Sequence, residues 1–378
     1  MRRRVLLVIS NLGYGGAERQ VIEIANGLGA HDIEGHVCIL SSHAPMASAL
    51  VGSEHRLHRI EKHNRFDISV VWRLARLMKA LDVDVVHGFL FDAEIATRLA
   101  ARLAGVSYVV GSERNSVHNY KAINYWAYRL TSPLMSVCVA NSEAGKRFNM
   151  TQFGLPEERY RVVYNGVDTA RFQPRDQGPA REALGIEGEG LVVGMVGSFK
   201  RQKNHGYLLR VVGRLAAQGI DFQLVLVGTT IFEGDSESEA YFRGIETMID
   251  EMALGDRVRL LGPRTDVETV YNACDVTVLP SLFEGTPNVA LESLASGVPV
   301  IATDVSDNAI VIPDGEVGFI VGLEDEEAFA NRLRELLVDG ELRQRFGDAA
   351  RALIMKRFSQ PIMVENMVRV YEHGEVGR

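Results

Sequence analysis

The stretch of sequence that decides the fold is Pro280-Ser-Leu-Phe-Glu284-Gly-Thr-Pro-Asn-Val-Ala-Leu-Glu292-Ser-Leu-Ala-Ser-Gly-Val-Pro-Val-Ile-Ala-Thr-Asp304. Apolar runs predict a strand on each side, and the residues between them predict a tight turn and a short helix that begins near Asn288. The first N–H groups of that helix can face an anion. The carboxylates of Glu284 and Glu292 can accept hydrogen bonds from neutral hydroxyls. The stretch therefore indicates a site for a phosphate next to a polyhydroxylated sugar.

Strand-like and helix-like segments alternate along both halves of the chain. Six apolar runs rich in β-branched residues lie between Val5 and Tyr164, and six more lie between Leu191 and Val321. The alternation predicts an α/β fold with two Rossmann-like, doubly wound parallel sheets whose ligands bind in a cleft between facing domains. We predict an N-terminal domain at 1–168, a linker at 169–190 and a C-terminal domain at 191–358, followed by a helical segment at 359–378.

The composition is typical of a soluble globular protein, because 46% of the 378 residues are hydrophobic and 24% are charged. No apolar run reaches the ~18–20 residues that span a bilayer. The basic and then apolar N-terminus lacks a cleavage site, so we interpret it as the first strand. The three cysteines show no C-x-x-C spacing, which predicts core residues in a reducing compartment. We therefore expect a cytoplasmic protein.

The charge is divided unevenly along the chain. Residues 1–175 hold 22 basic and 16 acidic side chains, whereas residues 176–378 hold 19 basic and 33 acidic side chains. A basic first half indicates an anionic partner. The candidates are a membrane surface, a lipid-phosphate acceptor and the acidic second half itself, and we expect no nucleic acid.

The run E-G-T-P-N-V-A-L-E, followed by A-x-G-x-P-V-I-A, resembles the E-x7-E motif of the retaining nucleotide-sugar glycosyltransferases, most closely family 4 with its GT-B fold. The resemblance implies that Glu292 binds the ribose of the donor and that Glu284 acts at the donor sugar as a catalytic residue. It implies that the backbone at Asn288 and Val289 contacts the diphosphate. It also implies a donor-binding C-terminal domain and an acceptor-binding N-terminal domain, onto which the segment 359–378 crosses back.

A glycine-rich run, Asn11-Leu-Gly-Tyr-Gly-Gly-Ala-Glu-Arg19, follows the first predicted strand and opens the first helix. Glu18 stands where a dinucleotide-binding fingerprint needs a small residue, and the second strand ends without an acidic residue for a ribose, which disfavours NAD. G-G-A-E resembles the first loop of family 4, where the backbone at Gly15 and Gly16 would contact the donor diphosphate. A plain glycine turn is the alternative.

A basic loop, Gly197-Ser-Phe-Lys-Arg-Gln-Lys203, follows the first strand of the second domain. Cations at this place suit a departing diphosphate. The family commonly reads G-R-x-x-x-x-K here, so that Lys203 matches the lysine and Ser198 replaces the arginine. We expect Arg201 to compensate for that replacement, and a solvated basic loop is the alternative.

Two further candidates lie in the first half. His87 resembles the first histidine of the H-x-H pattern of the family, with Phe89 in place of the second, which implies a catalytic histidine near the reacting sugar; a structural histidine is the alternative. Arg114, in the polar run Ser112-Glu-Arg-Asn115, is a candidate contact for the acceptor or a helix cap. No aspartate cluster for a divalent ion is present, so we expect neither a metal nor a cofactor beyond the nucleotide sugar.

The predicted activity is retaining transfer of a sugar from a nucleoside diphosphate sugar, a UDP-sugar in preference to a GDP-sugar. The predicted acceptor is a glycan or a lipid-linked glycan in the synthesis of a surface polysaccharide or glycoconjugate. We also expect peripheral contact between the basic N-terminal half and the anionic inner face of a membrane. The alternatives are a nucleotide-sugar epimerase or sugar phosphorylase of the same fold, a dinucleotide-dependent oxidoreductase, and a non-catalytic subunit that binds a nucleotide sugar.

Overall fold

The alternation of strands and helices that the sequence predicts is present throughout the computed structural model. The structure describes residues 2–64, 67–113, 122–229 and 236–372. The chain divides into two units: unit 1 comprises 1–166 and 360–378, and unit 2 comprises 167–359. The segment 169–190, predicted as a linker, is counted with unit 2, and the terminal segment is counted with unit 1.

Unit 1 is organised around a parallel sheet. Its strands are β1 (Arg3–Ile9), β2 (Ile33–Ile39), β3 (Leu57–Arg59), β4 (Val85–Phe89), β5 (Tyr108–Glu113), β6 (Val137–Ala140) and β7 (Tyr160–Val162). The described strands pair in the order β3-β2-β1-β4-β5-β6-β7. The sequence did not predict β3, because three residues that are half-buried or exposed give no apolar run.

Helices cover both faces of this sheet. They are α1 (Gly16–Gly27), α2 (Ser53–Arg56), α3 (Ser69–Ala80), α4 (Phe91–Ala104), α5 (Ala122–Thr131), α6 (Glu143–Phe153) and the terminal helix, α15 (Gln360–Glu372). Side chains alternate along β1, so that Val5 and Leu7 pack with α1 and α15 while Leu6 and Val8 pack with α3 and α4. The terminal helix therefore supplies part of the core of unit 1.

Unit 2 is organised around a second parallel sheet. Its strands are β8 (Leu191–Val196), β9 (Phe222–Val227), β10 (Val258–Gly262), β11 (Val276–Leu279), β12 (Val300–Thr303) and β13 (Gly318–Val321). Its helices are α7 (Gln177–Ala183), α8 (His205–Ala217), α9 (Ser236–Glu251), α10 (Val267–Ala273), α11 (Asn288–Ala295), α12 (Asn308–Val311), α13 (Glu326–Val338) and α14 (Gly340–Arg357). The described strands pair in the order β10-β9-β8-β11-β12-β13.

The strand order places a topological switch point in the middle of the second sheet. The chain leaves β8 towards β9 on one side and returns to β11 on the other side. The loops that follow β8 and β11 consequently lie next to each other at the carboxyl edge, where open α/β sheets bind their ligands. The predicted helix at Asn288 is confirmed as α11, which follows the loop after β11.

Candidate active site

A lysine and a glutamate from two different loops form an ion pair at the carboxyl edge of the unit 2 sheet. Lys203 Nζ lies 2.6 Å from Glu284 Oε1, and the two side chains are 15% and 9% exposed. Lys203 lies in the turn after β8, and Glu284 lies in the loop after β11. Since β8 and β11 are neighbours, the sheet brings together two residues that are 81 positions apart in the sequence.

Hydrogen bonds to the backbone of the loop that carries Glu284 hold this loop from two sides. The Leu282 N–H donates to the Gln202 carbonyl (2.8 Å), and the Gln202 side-chain amide donates to the Phe283 carbonyl (2.8 Å). On the other side, the Glu284 N–H donates to Ser306 Oγ (3.2 Å), and this hydroxyl donates to the Glu284 carbonyl (2.5 Å). Residues that follow β8 and β12 therefore hold the loop after β11.

The second glutamate of the motif is buried and anchored. Glu292 lies on α11 with 6% of its surface exposed, and the Tyr271 hydroxyl donates a hydrogen bond to Glu292 Oε2 (2.9 Å). Leu291 and Leu294 of the same helix are fully buried, which fixes the rotation of α11 about its axis. The orientation of the Glu292 carboxylate is thus set by the helix and by a tyrosine of α10.

The N-terminus of α11 follows a proline. Pro287 occupies the N-cap, and the first backbone bonds of the helix run from the N–H groups of Ala290 and Leu291 to the Pro287 carbonyl (3.0 and 3.2 Å). The N–H groups of Asn288 and Val289 come before these bonds and point outward along the axis, as they do at any helix N-terminus. Both residues are half-buried, so the predicted donor contact lies in a partly desolvated environment.

Arg201, the other cation predicted at this loop, contacts a different residue. Arg201 is exposed and lies 3.6 Å from the equally exposed Glu237, whereas Ser198 is half-buried. The loop needs glycine at its base, because a Cβ atom on Gly228 would overlap the backbone carbonyl of Gly197. The structure therefore brings Lys203, and not Arg201, to Glu284.

His205, a histidine that the sequence analysis did not single out, follows Lys203 by two residues and begins α8. The His205 ring is buried and stacks on Phe199 with 4.4 Å between centroids, and the backbone N–H of His205 donates to the Tyr241 hydroxyl (3.0 Å). Burial, together with the positive charge of Lys203, lowers the pKa of His205 to about 3, so the ring is neutral. A neutral, stacked ring at this place fixes the start of α8 without repelling the lysine.

In unit 1, the carboxylate of Glu18 lies against the glycine-rich loop that follows β1. Gly15 is the N-cap of α1, and a Cβ atom on Gly15 would overlap the carboxylate of Glu18. Burial raises the pKa of Glu18, and a bond to its own backbone N–H opposes that shift. The backbone at Gly16 thus starts a helix whose first turn already faces an anionic group, and its contact with a diphosphate stays a prediction.

His87 is buried in the middle of unit 1. The residue has no exposed surface, and His87 Nδ1 lies 2.8 Å from the hydroxyl of Tyr371 on α15. The neighbouring Phe89 packs against the imidazole with 4.0 Å between ring centroids. The histidine therefore links β4 to the terminal helix, and its catalytic role stays a prediction.

The acceptor candidate Arg114 lies outside the described residues. The two residues before it are buried at the end of β5, where the Ser112 N–H donates to Glu94 Oε1 (3.1 Å). Glu113 is 7% exposed, and burial followed by repulsion from Glu94 raises the pKa of Glu113 to about 8. The start of this polar run therefore belongs to a buried cluster that the sequence did not reveal.

The sequence matches the models of two families, one in each half. Residues 14–171 match Glycosyltransferase Family 4, and residues 176–353 match Glycosyl transferases group 1. The chain is also 31% identical over 281 residues to the UDP-Gal:alpha-D-GlcNAc-diphosphoundecaprenol alpha-1,3-galactosyltransferase of Escherichia coli, a match that covers 71% of this chain and 70% of the relative. The chain belongs to the family 4 type of GT-B glycosyltransferases.

Other relatives of this glycosyltransferase match over a smaller share of their length. The chain is 34% identical over 240 residues to the putative glycosyltransferase EpsF of Bacillus subtilis, which covers 61% of this chain and 59% of the relative. It is 30% identical over 285 residues to a D-inositol 3-phosphate glycosyltransferase of Stackebrandtia nassauensis, and this match covers 71% of this chain and 63% of the relative. The chain thus spans about three fifths of the length of these two relatives.

Solved structures confirm the predicted GT-B fold of the glycosyltransferase. Anabaena Alr3699/HepE in complex with UDP superposes with a TM-score of 0.86 at 19% identity, over 98% of this chain and 99% of that chain. A glycosyltransferase from Rickettsia africae superposes with a TM-score of 0.85 at 20% identity, over 98% of both chains. At such low identity the likeness establishes the fold alone.

The residues that position the motif carried no signal of their own in the sequence of the glycosyltransferase. Gln202, Tyr271 and Ser306 are common polar residues that become informative only through their hydrogen bonds to the loop and to Glu292.

Among the described residues, no group of three or more His, Cys, Asp or Glu side chains is arranged to hold a metal ion. None of the described helices is both long and apolar enough to cross a membrane.

Proposed function

We propose that this glycosyltransferase transfers a sugar from a UDP-sugar to a glycan or lipid-linked acceptor in the cytoplasm, with retention at the anomeric carbon and without a metal ion. The product would serve the synthesis of a surface polysaccharide or glycoconjugate. The observation that carries the proposal is the Lys203–Glu284 ion pair at the carboxyl edge of unit 2. Glu284 lies in the loop that leads into α11, the helix on which Tyr271 anchors Glu292.

Lys203 and the start of α11 stabilise the charge that grows on the departing diphosphate. An ammonium group has three donors, of which Glu284 takes one, so two can face the phosphate oxygens. The N–H groups of Asn288 and Val289 add the positive end of a helix. Fixed donors of this kind strengthen as the transition state forms, and each can contribute about 3 kcal/mol. They supply the charge that a divalent ion supplies in other transferases.

Glu284 accepts hydrogen bonds from hydroxyl groups of the donor sugar. The contacts with Lys203 and Ser306 hold the carboxylate and its backbone in place before the substrate arrives. Because Lys203 neutralises the charge of Glu284, we do not assign this residue as a nucleophile. Retention then results from reaction on one face of the sugar, in which the leaving phosphate takes the proton of the acceptor hydroxyl.

Glu292 accepts hydrogen bonds from the ribose hydroxyls of the nucleotide. The Tyr271 hydroxyl holds one carboxylate oxygen at 2.9 Å, so the ribose meets an acceptor of fixed orientation. The choice of uridine is supported by the relatives, since the Escherichia coli galactosyltransferase is named for UDP-Gal and the Anabaena structure was solved with UDP. The name of that galactosyltransferase also includes a diphosphoundecaprenol acceptor, which supports a lipid-linked acceptor here.

The first test is a thermal-shift panel of UDP, GDP, ADP and CMP, with NAD as a control ligand. We expect UDP to raise the melting temperature by mass action and Glu292→Gln to abolish the shift. Glu251→Gln, which changes an exposed carboxylate of α9, is the matched control and keeps the shift. Stabilisation by NAD alone, or an undiminished UDP shift in Glu292→Gln, would overturn the assignment.

The second test follows the reaction product. NMR of the product formed from a UDP-α-sugar should show an α-linkage, with the same yield in the presence of a chelator. A β-linked product contradicts retention, and loss of activity with the chelator contradicts metal independence. UDP binding without any turnover points to a binding subunit, and return of an isomerised sugar nucleotide points to an epimerase.

A further inference from the structure

Ser306, in the turn after β12, has a backbone conformation that serine rarely adopts. Its φ is 53°, in the left-handed region that strains an L side chain and that favours glycine. The residue occupies the first central position of a turn from Val305 to Asn308, which the Asn308 N–H closes by donating to the Val305 carbonyl (3.1 Å). Turns with a positive φ at this position are dominated by glycine, asparagine and aspartate. A serine here therefore costs free energy that a glycine would not cost.

The surroundings of the turn keep Ser306 in this conformation. Asp307 and Asn308 are buried, and the Asn308 side-chain amide donates to the Thr303 carbonyl (2.9 Å). Thr303 is fully buried, and its hydroxyl donates to the Ser281 carbonyl (2.5 Å). Strained conformations persist where the neighbouring structure over-determines them, and they concentrate at functional sites. The turn is thus attached to the segment after β11, and Ser306 cannot relax by itself.

The hydroxyl of Ser306 contacts both backbone polar groups of Glu284. The Glu284 N–H donates to Ser306 Oγ (3.2 Å), and this hydroxyl donates to the Glu284 carbonyl (2.5 Å). Glycine at position 306 would relieve the strain and lose both hydrogen bonds, whereas alanine would keep the strain and also lose them. The strained backbone therefore directs a hydroxyl at the residue that carries the first carboxylate of the motif.

Two contacts of different kinds consequently fix Glu284. Ser306 holds the backbone of this residue, and Lys203 holds one of its carboxylate oxygens, Oε1, at 2.6 Å. The other carboxylate oxygen, Oε2, can accept a hydrogen bond from a sugar hydroxyl. A carboxylate that is fixed before the ligand arrives loses little conformational freedom on binding, so the hydrogen bond contributes more to affinity.

We propose that Ser306 is a positioning residue for the donor sugar, and that by fixing the backbone of Glu284 it determines how strongly the protein distinguishes a UDP-sugar from UDP. The inference rests on the proposed function, in which Glu284 accepts hydrogen bonds from hydroxyl groups of the donor sugar. Ser306 acts through Glu284 and not through a contact of its own with the substrate. The contacts proposed for Glu292 and Lys203 involve the ribose and the diphosphate, so the affinity for UDP is separable from the affinity for the sugar.

The experiment measures the Kd values of UDP, UDP-glucose, UDP-galactose and UDP-N-acetylglucosamine by calorimetry on the full chain, without an acceptor. The readout is the ratio of the Kd for UDP to the Kd for the UDP-sugar that the unchanged protein binds most tightly. Ser306→Gly and Ser306→Ala should each lower this ratio about 3-fold to 10-fold, because Glu284 is no longer fixed. The Kd for UDP itself should change by less than about 2-fold.

The two substitutions separate positioning from strain. Ser306→Gly should have a higher Tm than Ser306→Ala, because glycine adopts a φ of 53° without strain, yet both should lower the ratio to a similar extent. Ala253→Gly, at an exposed residue whose φ is 51°, is the matched control and should leave the ratio unchanged. A ratio that falls only in the alanine variant, together with its Tm, would identify a merely structural role and overturn the proposal.

A double-mutant cycle tests whether Ser306 acts through Glu284. Glu284→Gln should lower the ratio by itself, and the addition of Ser306→Ala should then change it by less than about 2-fold. Equal effects of Ser306→Ala with and without the Glu284 carboxylate overturn the proposal, as does an unchanged ratio in both Ser306 variants while UDP still binds. Absence of UDP binding in the unchanged protein would contradict the proposed function itself, and this inference with it.

Discussion

Two of the ion pairs among the described residues have nearly equal lengths and different surroundings, one in the interior of unit 1 and one at the carboxyl edge of unit 2. Arg98 Nη2 lies 2.8 Å from Glu94 Oε1, with side chains that are 1% and 2% exposed. Lys203 Nζ lies 2.6 Å from Glu284 Oε1, with side chains that are 15% and 9% exposed. The contact distances are alike, but the surroundings differ.

Both residues of the interior pair lie on one helix, and both are buried. Glu94 and Arg98 are one turn apart on α4, the Ser112 N–H donates to Glu94, and the guanidinium lies 4.2 Å from the centre of the Tyr128 ring. Burial raises the pKa of Glu94, and the attraction of Arg98 opposes that shift. Removal of either partner would leave a charge with no access to water, so this pair is a structural element.

The edge pair joins two loops from neighbouring strands. Lys203 and Glu284 are held by separate segments of backbone, and both retain some exposed surface. A phosphate or a sugar hydroxyl can approach each of them without unfolding the sheet. A buried ion pair that only its partner can satisfy stabilises the fold. The partly exposed edge pair can in addition be shared by a ligand, as we propose.

The largest expected effect breaks the interior pair. Arg98→Met should lower the free energy of unfolding by about 3–5 kcal/mol, because it leaves the Glu94 carboxylate buried without its cation. Arg102→Met on the same helix changes an exposed residue and should shift it by less than about 0.5 kcal/mol. Chemical denaturation followed by circular dichroism measures both, and equal small shifts would mean that water reaches Glu94.

The next effect breaks the edge pair. Lys203→Met should lower the rate of sugar transfer about 100-fold to 1,000-fold, because the donor that we propose for the leaving diphosphate is lost. The free energy of unfolding should fall by only about 1 kcal/mol, because water can hydrate Glu284. Arg201→Met, at the exposed contact with Glu237, is the control and should cost less than about 10-fold. If it costs more than Lys203→Met, the compensating role predicted for Arg201 is correct.

A pH series sharpens the comparison, because a second carboxylate shares the interior site. The pKa of Glu113 is about 8 in the folded chain, well above the ordinary 4.5, so the folded state keeps a proton that the unfolded state releases. The stabilisation from this proton is complete below pH 4.5 and is lost as the pH rises through about 8. Between pH 6 and 8 the free energy of unfolding should fall by about 1–3 kcal/mol.

Substitution separates this contribution from that of other groups. Glu113→Gln should flatten the fall between pH 6 and 8, since an amide does not titrate. Glu158→Gln, at an exposed carboxylate, should leave the fall unchanged. Parallel curves for the two variants would show that Glu113 is ionised in the folded protein.

The smallest expected effect concerns Glu292, whose carboxylate accepts a hydrogen bond from the neutral Tyr271 hydroxyl. Tyr271→Phe removes the hydroxyl that donates to Glu292 and should raise the Kd for UDP about 3-fold to 10-fold, which corresponds to one hydrogen bond. Tyr207→Phe removes a buried hydroxyl that makes no hydrogen bond in the described structure and should leave the Kd unchanged. Calorimetry measures both variants, and equal affinities would show that α11 alone orients Glu292.

The sequence predicted the fold closely, and it predicted part of the candidate site. The two series of strands predicted from apolar runs match the described sheets except for the short β3. The predicted ligands Lys203 and Glu284 meet, whereas Arg201 faces Glu237. The roles assigned to Glu292 and His87 are contacts with a substrate, and they stay predictions that the experiments above address.

The sequence by itself determined which segments become strands and helices, because periodicity in apolar residues reflects local backbone geometry. It also indicated the family, through the run from Glu284 to Glu292 together with the strands and the segment that frame it. Only the tertiary structure decided which side chains meet. The order of strands brought Lys203 to Glu284, and the return of α15 buried His87 against Tyr371. Contacts between residues 81 and 284 positions apart leave no periodic trace in a sequence, since they depend on how whole elements pack.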